Sequence, residues 1–411
     1  MTAMHIQTIP EILAPAGDAA CLSAALQYGA DAVYLAGTRF GMRAAPANFD
    51  EQGLRDAVKT AHTAGKRVYV TCNILPRNAE IDVLPAYLEM IQDTGADALI
   101  VADLAVMALA KRYAPRCELH VSTQFGVVNY ATAQMLYDMG AARVVLAREL
   151  PLSEIAEIRA RIPSALELEC FVHGAMCMSF SGRCLLSNYL TGRDANHGCC
   201  TQPCRWKYQL LEPGRPEQPL TVEENAEGTY LFNANDLCML PHVAALAQAG
   251  ISSFKIEGRA KAAYYVAVVT NAYRQAMDGY RASGCAADYR PPAWLEEELD
   301  TVSHRPYGTG FYFGQPAQET KRGGYIRHYE VAAVVEGWQG GRLLLSQRNR
   351  FCRGDVVSIL QPGRQPVTWT ITEMYDPDNQ PLEAAPHATM PLWIPYPQPV
   401  EPGSFLRRRL N

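Results

Sequence analysis

From Glu11 to Ile256, the spacing of apolar and polar positions changes repeatedly between two patterns. Short apolar runs, typical of buried strands, are separated by stretches with the period of about 3.6 residues that marks an amphipathic helix. The predicted helices include Cys21–Tyr28, Glu51–Ala64, Val83–Thr94 and Ala131–Met139. The predicted strands are Glu11–Ala14, Ala32–Leu35, Val68–Cys72, Ala98–Val101, Leu119–Ser122, Arg143–Leu146, Leu166–Phe171 and Phe254–Ile256.

Eight strands that alternate with helices predict an α/β fold, a (β/α)8 TIM-like barrel. Gly-Ala steps such as Gly29-Ala30 and Gly95-Ala96 stand just before predicted strands, as expected for a helix C-cap followed by a short loop. An open doubly wound sheet is the alternative. It is disfavoured because no Gly-x-Gly-x-x-Gly sequence follows the first predicted strand.

The connection before the last predicted strand is far longer than the others. It forms a cysteine-rich insertion at 174–252, in which we predict a hairpin, Tyr208–Leu211 with Thr229–Phe232, and a helix, Leu237–Gln248. Ordinary connections in such units have about two to six residues. Long insertions at the carboxyl ends of barrel strands usually build the active site.

The pattern changes after a predicted helix at Lys261–Met277. Gly279–Pro292 is rich in Gly, Pro and Ala and reads as a linker, and Ser303–Gly314 is a second bridge rich in glycine and aromatic residues. From Tyr329 onward, alternating apolar positions predict a small antiparallel β-barrel. We therefore expect a catalytic barrel at 1–290, a bridge at 291–328 and a C-terminal β domain at 329–411.

Charge is distributed unevenly along the 411 residues. The whole chain has a net charge of −5, yet the part from Thr320 to Asn411 has 11 basic and 8 acidic residues. Arg348, Arg350 and Arg353 are close in sequence there, and such groups either contact phosphates or form a solvated basic face. No uncharged apolar run of about 18 residues is present, and no secretory signal is visible at the N-terminus. We expect a cytoplasmic protein without a membrane partner.

Twelve cysteines in such a chain favour metal binding or burial over disulfides. Cys21, Cys72, Cys117 and Cys170 lie singly in apolar segments, where a free thiol behaves as a small hydrophobe. A second set of cysteines lies in the insertion and near its end. No Cys-x-x-Cys pair is present, so a zinc ribbon is disfavoured, and the wide spacing favours an iron–sulfur cluster. The predicted ligands are Cys177, Cys184, Cys200 and Cys238, with Cys199 and Cys204 as alternatives to Cys200.

Polar residues follow several predicted strands, where barrel enzymes carry their chemistry. The candidate catalytic residues are Asn73, Gln124, Arg148, His173 and Glu257, and His173 is the candidate for proton transfer. Any one of them alone is more often a cap or a core ion pair, but their common position favours a site. Guanidinium groups bind carboxylates and phosphates in two-point fashion. The candidate substrate-binding residues are Arg183, Arg205, Arg259 and Arg305.

The segment from Glu169 to Cys184, with Phe-Val-His-Gly-Ala-Met-Cys and Ser-Gly-Arg-Cys, resembles the signature of peptidase family U32, the collagenase-like peptidases. Ser122-Thr123-Gln124 and Phe254–Arg259 resemble further family blocks, and the resemblance covers essentially the whole chain. One departure is Asn235, where the usual family sequence has lysine, and the doubled Cys199-Cys200 leaves the third ligand open.

This resemblance implies a function that differs from the family's label. Better understood members hydroxylate RNA bases or ubiquinone precursors without molecular oxygen, and the latter hold a 4Fe-4S cluster on cysteines that match Cys177, Cys184, Cys200 and Cys238. The layout of this chain is most similar to members that hydroxylate carbon 5 of the wobble uridine in tRNA and depend on prephenate. We therefore expect an oxygen-independent tRNA hydroxylase with a 4Fe-4S cluster and prephenate as hydroxyl donor. The alternatives are a collagenase-like peptidase, hydroxylation of a 23S rRNA cytidine, and a non-catalytic RNA-binding protein. The expected partners are tRNA and a homologous paralogue or a second copy of the chain.

Overall fold

The computed structural model describes residues 9–42, 48–177, 179–206, 234–317 and 325–410. Within these ranges, seven strands in sequence order and a later one run parallel and close into a barrel, which confirms the predicted fold class. The sheet comprises β1 (Glu11–Pro15), β2 (Ala32–Leu35), β3 (Arg67–Cys72), β4 (Ala98–Val101), β5 (Glu118–Val121), β6 (Arg143–Val145), β7 (Glu167–Gly174), β8 (Asp236–Cys238), β9 (Ser253–Ile256) and β10 (Tyr307–Gly308). β9 pairs with β1 and with β7 and closes the barrel, whereas β8 and β10 extend the sheet beyond β7.

Helices cover the outside of the barrel. They are α1 (Ala19–Gln27), α2 (Glu51–Thr63), α3 (Asn78–Ile81), α4 (Leu84–Asp93), α5 (Leu104–Tyr113), α6 (Tyr130–Asp138), α7 (Leu152–Arg161), α8 (Leu186–Thr191), α9 (Val243–Gln248), α10 (Ala263–Ala282) and α11 (Ala293–Leu299). Asp18, Asp50 and Asp103 cap α1, α2 and α5 by accepting a backbone N–H from the first turn. After α1 and α4, Gly29 and Gly95 adopt φ of +99° and +85°, a conformation that favours glycine. The Gly-Ala steps therefore end helices as predicted.

The predicted boundaries fail at two places in the second half of the barrel. The expected helix Leu237–Gln248 is shorter than predicted: β8 extends to Cys238, Leu240–His242 form a 3-10 turn with Pro241 in it, and α9 starts at Val243. Part of the expected linker after residue 279 is helical, since α10 continues to Ala282. The predicted hairpin Tyr208–Leu211 and Thr229–Phe232 lies outside the described residues.

The C-terminal residues form the expected antiparallel β domain. Its strands are β11 (Tyr329–Gln339), β12 (Arg342–Gln347), β13 (Phe351–Cys352), β14 (Val356–Leu360), β15 (Val367–Thr370), β16 (Ala384–Ala385), β17 (Pro391–Pro395) and β18 (Phe405–Arg409). Six of them form a sheet in the order β15-β14-β18-β11-β12-β17 around a separate apolar core. Alternation of buried and partly exposed positions along β12 is the pattern of a sheet with one face in the core.

The β domain packs against the outer helices of the barrel. Tyr28, at the end of α1, donates its hydroxyl to the Leu360 carbonyl at 3.2 Å, and its ring packs against Phe405. On the other side of the contact, Arg407 of β18 binds the Glu298 carboxylate of α11. Apolar and ionic contacts together fix this domain on the barrel wall. Among the described residues, no helix is both long enough and apolar enough to cross a membrane.

Candidate functional site

A cavity of about 190 Å³ opens at the carboxyl ends of the barrel strands. Asn73 follows β3, Gln124 follows β5, Arg148 follows β6 and Glu257 follows β9, and all four line this cavity. They meet because the carboxyl ends of parallel barrel strands lie at one end of the barrel. The structure therefore brings together four of the five residues predicted as catalytic.

Gln124 is the least satisfied of these polar side chains. It is buried, and among the described residues neither its amide oxygen nor its amide nitrogen has a hydrogen-bond partner. A buried amide without partners is costly unless something else binds it. Asn73, in contrast, accepts the Met42 backbone N–H at 3.0 Å, which holds the loop after β2 over the barrel. Gln124 is thus the polar group in the cavity that is most in need of a ligand.

Arg148 and Glu257 form a loose pair across the cavity. Nη2 of Arg148 lies 3.7 Å from Oε2 of Glu257, and Nη1 donates to the Ala175 carbonyl at 3.0 Å. The guanidinium carbon lies 3.9 Å from the centroid of Phe171, so a cation–π contact also positions it. This arrangement holds a cationic group at the wall, beside the start of the cysteine-rich insertion.

The placement that we expected for His173 is wrong. A bulge between Phe171 and His173 puts His173 beside Ile256, and the ring then points towards the helix layer rather than into the cavity. It is 1% exposed, and its ring centroid lies 5.7 Å from that of Tyr273 and 5.3 Å from that of Tyr307. Burial lowers the pKa of His173 to about 3. A neutral, enclosed imidazole away from the cavity has no geometric basis for a catalytic role.

Four thiols line the cavity on the side of the insertion: Cys177, Cys184, Cys200 and Cys204. Two of them accept backbone hydrogen bonds, from Leu186 N to Cys184 Sγ and from Gln202 N to Cys200 Sγ, each at 3.3 Å. Burial raises the pKa of Cys204, Arg205 lowers it, and the neighbouring Cys177, Cys200 and Cys184 raise it further. Cys204, weighed as a rival of Cys200, thus joins the same group. The thiol of Cys199, the other rival, faces the His197 carbonyl at 3.8 Å.

The expected convergence of Cys238 with these thiols stays a prediction. Cys238 ends β8, opposite His173, and does not line the cavity that the other thiols share. Burial raises its pKa to about 12, and the side chain of Tyr273 on α10 is a neighbour. The antiparallel pairing of β8 with β7 fixes this position, because it places Cys238 opposite His173 at the end of β7.

Four thiols along one wall of a cavity are ligands of the kind that iron–sulfur clusters use. Among the described residues, no three His, Cys, Asp or Glu side chains stand close enough together to bind one metal ion. An iron–sulfur cluster brings its own sulfides and is wider, so its ligands stand further apart than those of zinc. Backbone N–H groups aimed at Sγ also match such a site, since hydrogen bonds to the sulfurs tune a cluster.

The predicted substrate-binding arginines divide into two pairs. Arg205 and Arg259 line the cavity, where Nη1 of Arg259 donates to Thr71 at 3.0 Å. Arg183 is exposed and donates Nε to the Gln124 carbonyl at 2.6 Å, which ties the insertion to the strand end. Arg305 is buried against Asp236, with 3.4 Å between Nη1 and Oδ1, so it connects the bridge to β8 instead of facing the cavity.

Lys255 and Glu169 form a buried ion pair beneath the cavity that sequence reasoning missed as a site. Lys255 lines the floor, and its Nζ lies 2.7 Å from Oε1 of Glu169 and 4.5 Å from the ring centroid of Tyr34. Arg143 binds the other oxygen of Glu169 at 3.0 Å. The sequence feature that could have revealed it is Lys255, a charged residue inside the apolar strand Phe254–Ile256. Side chains alternate between the two faces of a strand, so this lysine points towards the barrel axis.

The charged lining of the cavity is mostly cationic. Glu257 is its one lining carboxylate within the described ranges, and it faces the cations Arg148, Arg205, Lys255 and Arg259. Tyr34, Ile100, Phe171 and Met176 supply apolar wall between these charges. A cavity with a cationic lining and apolar walls suits a small organic anion that carries a ring or another apolar part.

In the segment that carries the thiols, a polar side chain is buried while several apolar side chains are exposed. On α8, Ser187 is fully buried and its hydroxyl lies 3.1 Å from that of Thr201, whereas Leu185 is 74% and Tyr189 88% exposed. Phe180 and Trp206 are exposed in the same segment. Exposed apolar groups gathered beside a cavity mark a surface that another molecule covers.

Comparison with known proteins finds relatives with two kinds of name, RNA hydroxylation proteins and peptidases. A sequence model of peptidase family U32 matches residues 17–322, and a model of the peptidase family U32 C-terminal domain matches 327–407. tRNA hydroxylation protein P1 of Bacillus subtilis is 36% identical over 408 residues, which cover 97% of this chain and 94% of that protein. tRNA hydroxylation protein P of Escherichia coli is 34% identical over 95% of each chain. A 23S rRNA 5-hydroxycytidine synthase of Escherichia coli is 38% identical over 65% of this chain and 39% of its own length.

Proposed function

The chain belongs to peptidase family U32, and we propose that it is an RNA hydroxylase that converts the wobble uridine of tRNA to 5-hydroxyuridine. The observation that carries this proposal is the similarity to two tRNA hydroxylation proteins over nearly the full length of both chains. The C-terminal β domain is included in that similarity, which favours tRNA over the 23S rRNA substrate of the partly matching relative.

The proposed cofactor is a 4Fe-4S cluster held by Cys177, Cys184, Cys200 and Cys204. This set replaces the one expected from the sequence in a single position, Cys204 for Cys238, because Cys204 lines the cavity and Cys238 does not. When bound, the cluster would supply one-electron chemistry at the wall of the cavity. The N–H groups of Leu186 and Gln202 would then support two of the ligand sulfurs.

The proposed co-substrate is prephenate, as the hydroxyl donor. It carries one carboxylate on its ring and a second on a pyruvyl side chain, and the cavity offers matching chemistry: cations at Arg148, Arg259 and Lys255, with the Phe171 ring beside Arg148 and Lys255. Bidentate pairing with guanidinium groups orients a dicarboxylate as well as neutralising it. Burial of these groups strengthens their attraction for an anion, because the local dielectric is low.

The target uridine would enter the same cavity from a single-stranded loop. An enzyme that modifies a base must take it out of its stack, and an anticodon loop offers unstacked bases at low cost. The unpartnered amide of Gln124 can pair with the donor and acceptor groups on a uracil edge. Tyr189 and Trp206, exposed at the rim, can stack on neighbouring bases, and Arg183 beside them can contact phosphate.

Nucleoside analysis of tRNA from a strain without this protein tests the proposal. We expect 5-hydroxyuridine and its derivatives to disappear and to return when the intact chain is supplied. Cys184→Ala should not restore them, whereas Cys352→Ala should, because Cys352 lies in the β domain. Unchanged tRNA nucleosides in the deletion strain, together with loss of gelatin cleavage, would return the protein to the peptidase function of its family label.

A further inference from the structure

A row of three planar side chains crosses the outer face of the β domain. Arg342 comes from β12, Trp393 from β17, and Tyr375 from the segment paired with the other edge of β17. The guanidinium carbon of Arg342 lies 4.3 Å from the Trp393 ring centroid. Tyr375 stacks on Trp393 with 4.3 Å between centroids and 14° between the ring planes.

The backbone fixes this row. Tyr375 and Trp393 exchange two hydrogen bonds, Tyr375 N to Trp393 O at 3.0 Å and Trp393 N to Tyr375 O at 2.9 Å. The side chain of Arg342 is held by the Asn379 amide oxygen at 2.9 Å, and the Tyr375 hydroxyl donates to Glu373 at 2.8 Å. All three planar groups are at least partly exposed, and in the described part of the chain no further ring stacks on Tyr375. The row therefore ends in an aromatic face that is open to solvent.

Among the described residues, the Arg342 guanidinium of the row and that of Arg348, just beyond β12, lack an acidic partner, whereas Glu373 accepts the Tyr375 hydroxyl. In the described ranges, Arg342 and Arg348 have no carboxylate within ion-pair distance, and Arg348 binds only oxygens of Ser346 and Gln347. Both project from the same strand segment, six residues apart, or about 20 Å at the rise of an extended chain. Aromatic faces beside a guanidinium group that has no acidic partner are a means by which proteins bind unpaired nucleotides.

The row lies across the sheet from the strands that contact the barrel. β18 and the ends of β14 carry the contacts with the barrel helices, and β11 and β12 separate β18 from β17 in the sheet. Three strand spacings correspond to about 14 Å. The row is therefore separated from the strand that docks on the barrel, and the contact with the barrel leaves it exposed.

We infer that Arg342, Trp393 and Tyr375 form a second RNA contact, which stacks an unpaired base of the same tRNA at a point remote from the modified uridine. This inference rests on the proposed function, since it takes tRNA as the substrate. It adds the requirement that the enzyme recognises the tRNA in two places, with the β domain as a rigid spacer between them.

The test compares binding of two RNAs to the intact protein: a full-length tRNA transcript and its isolated anticodon stem-loop. We expect Arg342→Ala and Tyr375→Ala each to weaken binding of the full tRNA about tenfold, the loss of one base stack, and to leave stem-loop binding unchanged. Tyr375→Phe keeps the ring and should bind as the original chain does. Arg364→Ala removes an exposed arginine from the turn after β14 and is the matched charge control.

The outcomes separate this inference from the proposed function. If the original protein binds both RNAs and the two alanine variants bind full tRNA with unchanged affinity, the second contact is overturned and the hydroxylase proposal stands. If the variants lose affinity for both RNAs equally, the row contacts the anticodon loop, and a remote contact is again overturned. If the original protein binds neither RNA, both proposals fall. Unchanged thermal unfolding midpoints in the variants would show that the losses are not caused by misfolding.

Discussion

His173 stands beside Ile256 in the barrel sheet because a bulge after Phe171 shifts the register between β7 and β9 by one residue. Side chains alternate between the two faces of a strand, so this one-residue shift moves the imidazole from the barrel interior to the helix layer. There it lies among Tyr265, Tyr273 and Tyr307, and neither ring nitrogen has a partner in the described residues. The bulge thus separates His173 from the chemistry at the mouth.

The buried imidazole should make the protein less stable in acid. The pKa of His173 is about 3 in the folded chain and about 6.5 when exposed, so the unfolded state binds the extra proton between these values. Stability from this residue is fully present above pH 6.5 and is lost as the pH falls towards 3. We therefore compare the unfolding free energy of His173→Phe with that of the original chain. We expect this difference to favour the variant by about 2–3 kcal/mol more at pH 4.5 than at pH 7.5. Urea unfolding at both pH values measures this difference.

Exposed His387 supplies the matched control for that experiment. His387→Phe also replaces an imidazole by a phenyl ring, but at an exposed position, and should not show the difference between the two pH values that is expected of His173→Phe. If the unfolding free energies of His173→Phe and of the original chain change with pH in the same way, the assigned burial of His173 and the bulge that causes it are contradicted.

The ligand set of the cluster can be tested without measuring activity. Cys204 lines the cavity with Cys177, Cys184 and Cys200, whereas Cys238 packs near Tyr273 on the barrel wall. Cys204→Ser should therefore reduce the iron content and visible absorbance of anaerobically purified protein severalfold, because a thiolate ligand is lost. Cys238→Ser should keep both. The opposite result would assign Cys238 to the cluster and show that the insertion rearranges when the cluster binds.

The barrel strands were predictable because each is a short apolar run between helices, and buried parallel strands have that composition. The common location of the polar residues just after those runs was predictable from the barrel topology. The carboxyl ends of the strands lie at one end of the barrel, so Asn73, Gln124 and Glu257 line one cavity. The fourth thiol was not predictable in this way. Cys204 and Cys238 both lie within the insertion, and their positions in the sequence do not show which of them lines the cavity.

The cavity floor depends on the ion pair between Lys255 and Glu169. Burial would raise the pKa of Glu169, but the charges of Lys255 and Arg143 hold it below its usual range, so the carboxylate stays ionised. Lys255→Met should destabilise the fold by about 3 kcal/mol, since it leaves part of a buried charge uncompensated. Adding Glu169→Gln should recover part of that loss. Equilibrium urea unfolding of the two single variants and the double variant gives the coupling energy.

Independent effects in that cycle would contradict the pairing, because residues in direct contact do not give additive changes in unfolding free energy. The same double variant is informative about the substrate. If Lys255 helps to bind the carboxylates of the donor, the variant should need more prephenate for half-maximal hydroxylation even where stability has been regained.

Docking of the β domain depends on one buried arginine. Arg407 of β18 donates from Nη1 to Glu298 Oε2 and to Thr301 Oγ1, each at 2.9 Å, and to the Tyr264 hydroxyl at 3.2 Å. Arg407→Ala leaves the buried Glu298 carboxylate without its partner, which typically costs about 3–5 kcal/mol. We expect the variant to unfold at lower urea concentration and to become sensitive to proteolysis between the barrel and the β domain. Arg409→Ala, which removes an exposed arginine from the same strand, should have neither effect.

The same variant also tests the spacing between the two RNA contacts. If Arg407→Ala lowers affinity for full-length tRNA while stem-loop binding persists, the rigid spacing between the two contacts requires this docking. Equal retention of both RNAs in a destabilised variant would mean that the β domain binds RNA without being held against the barrel.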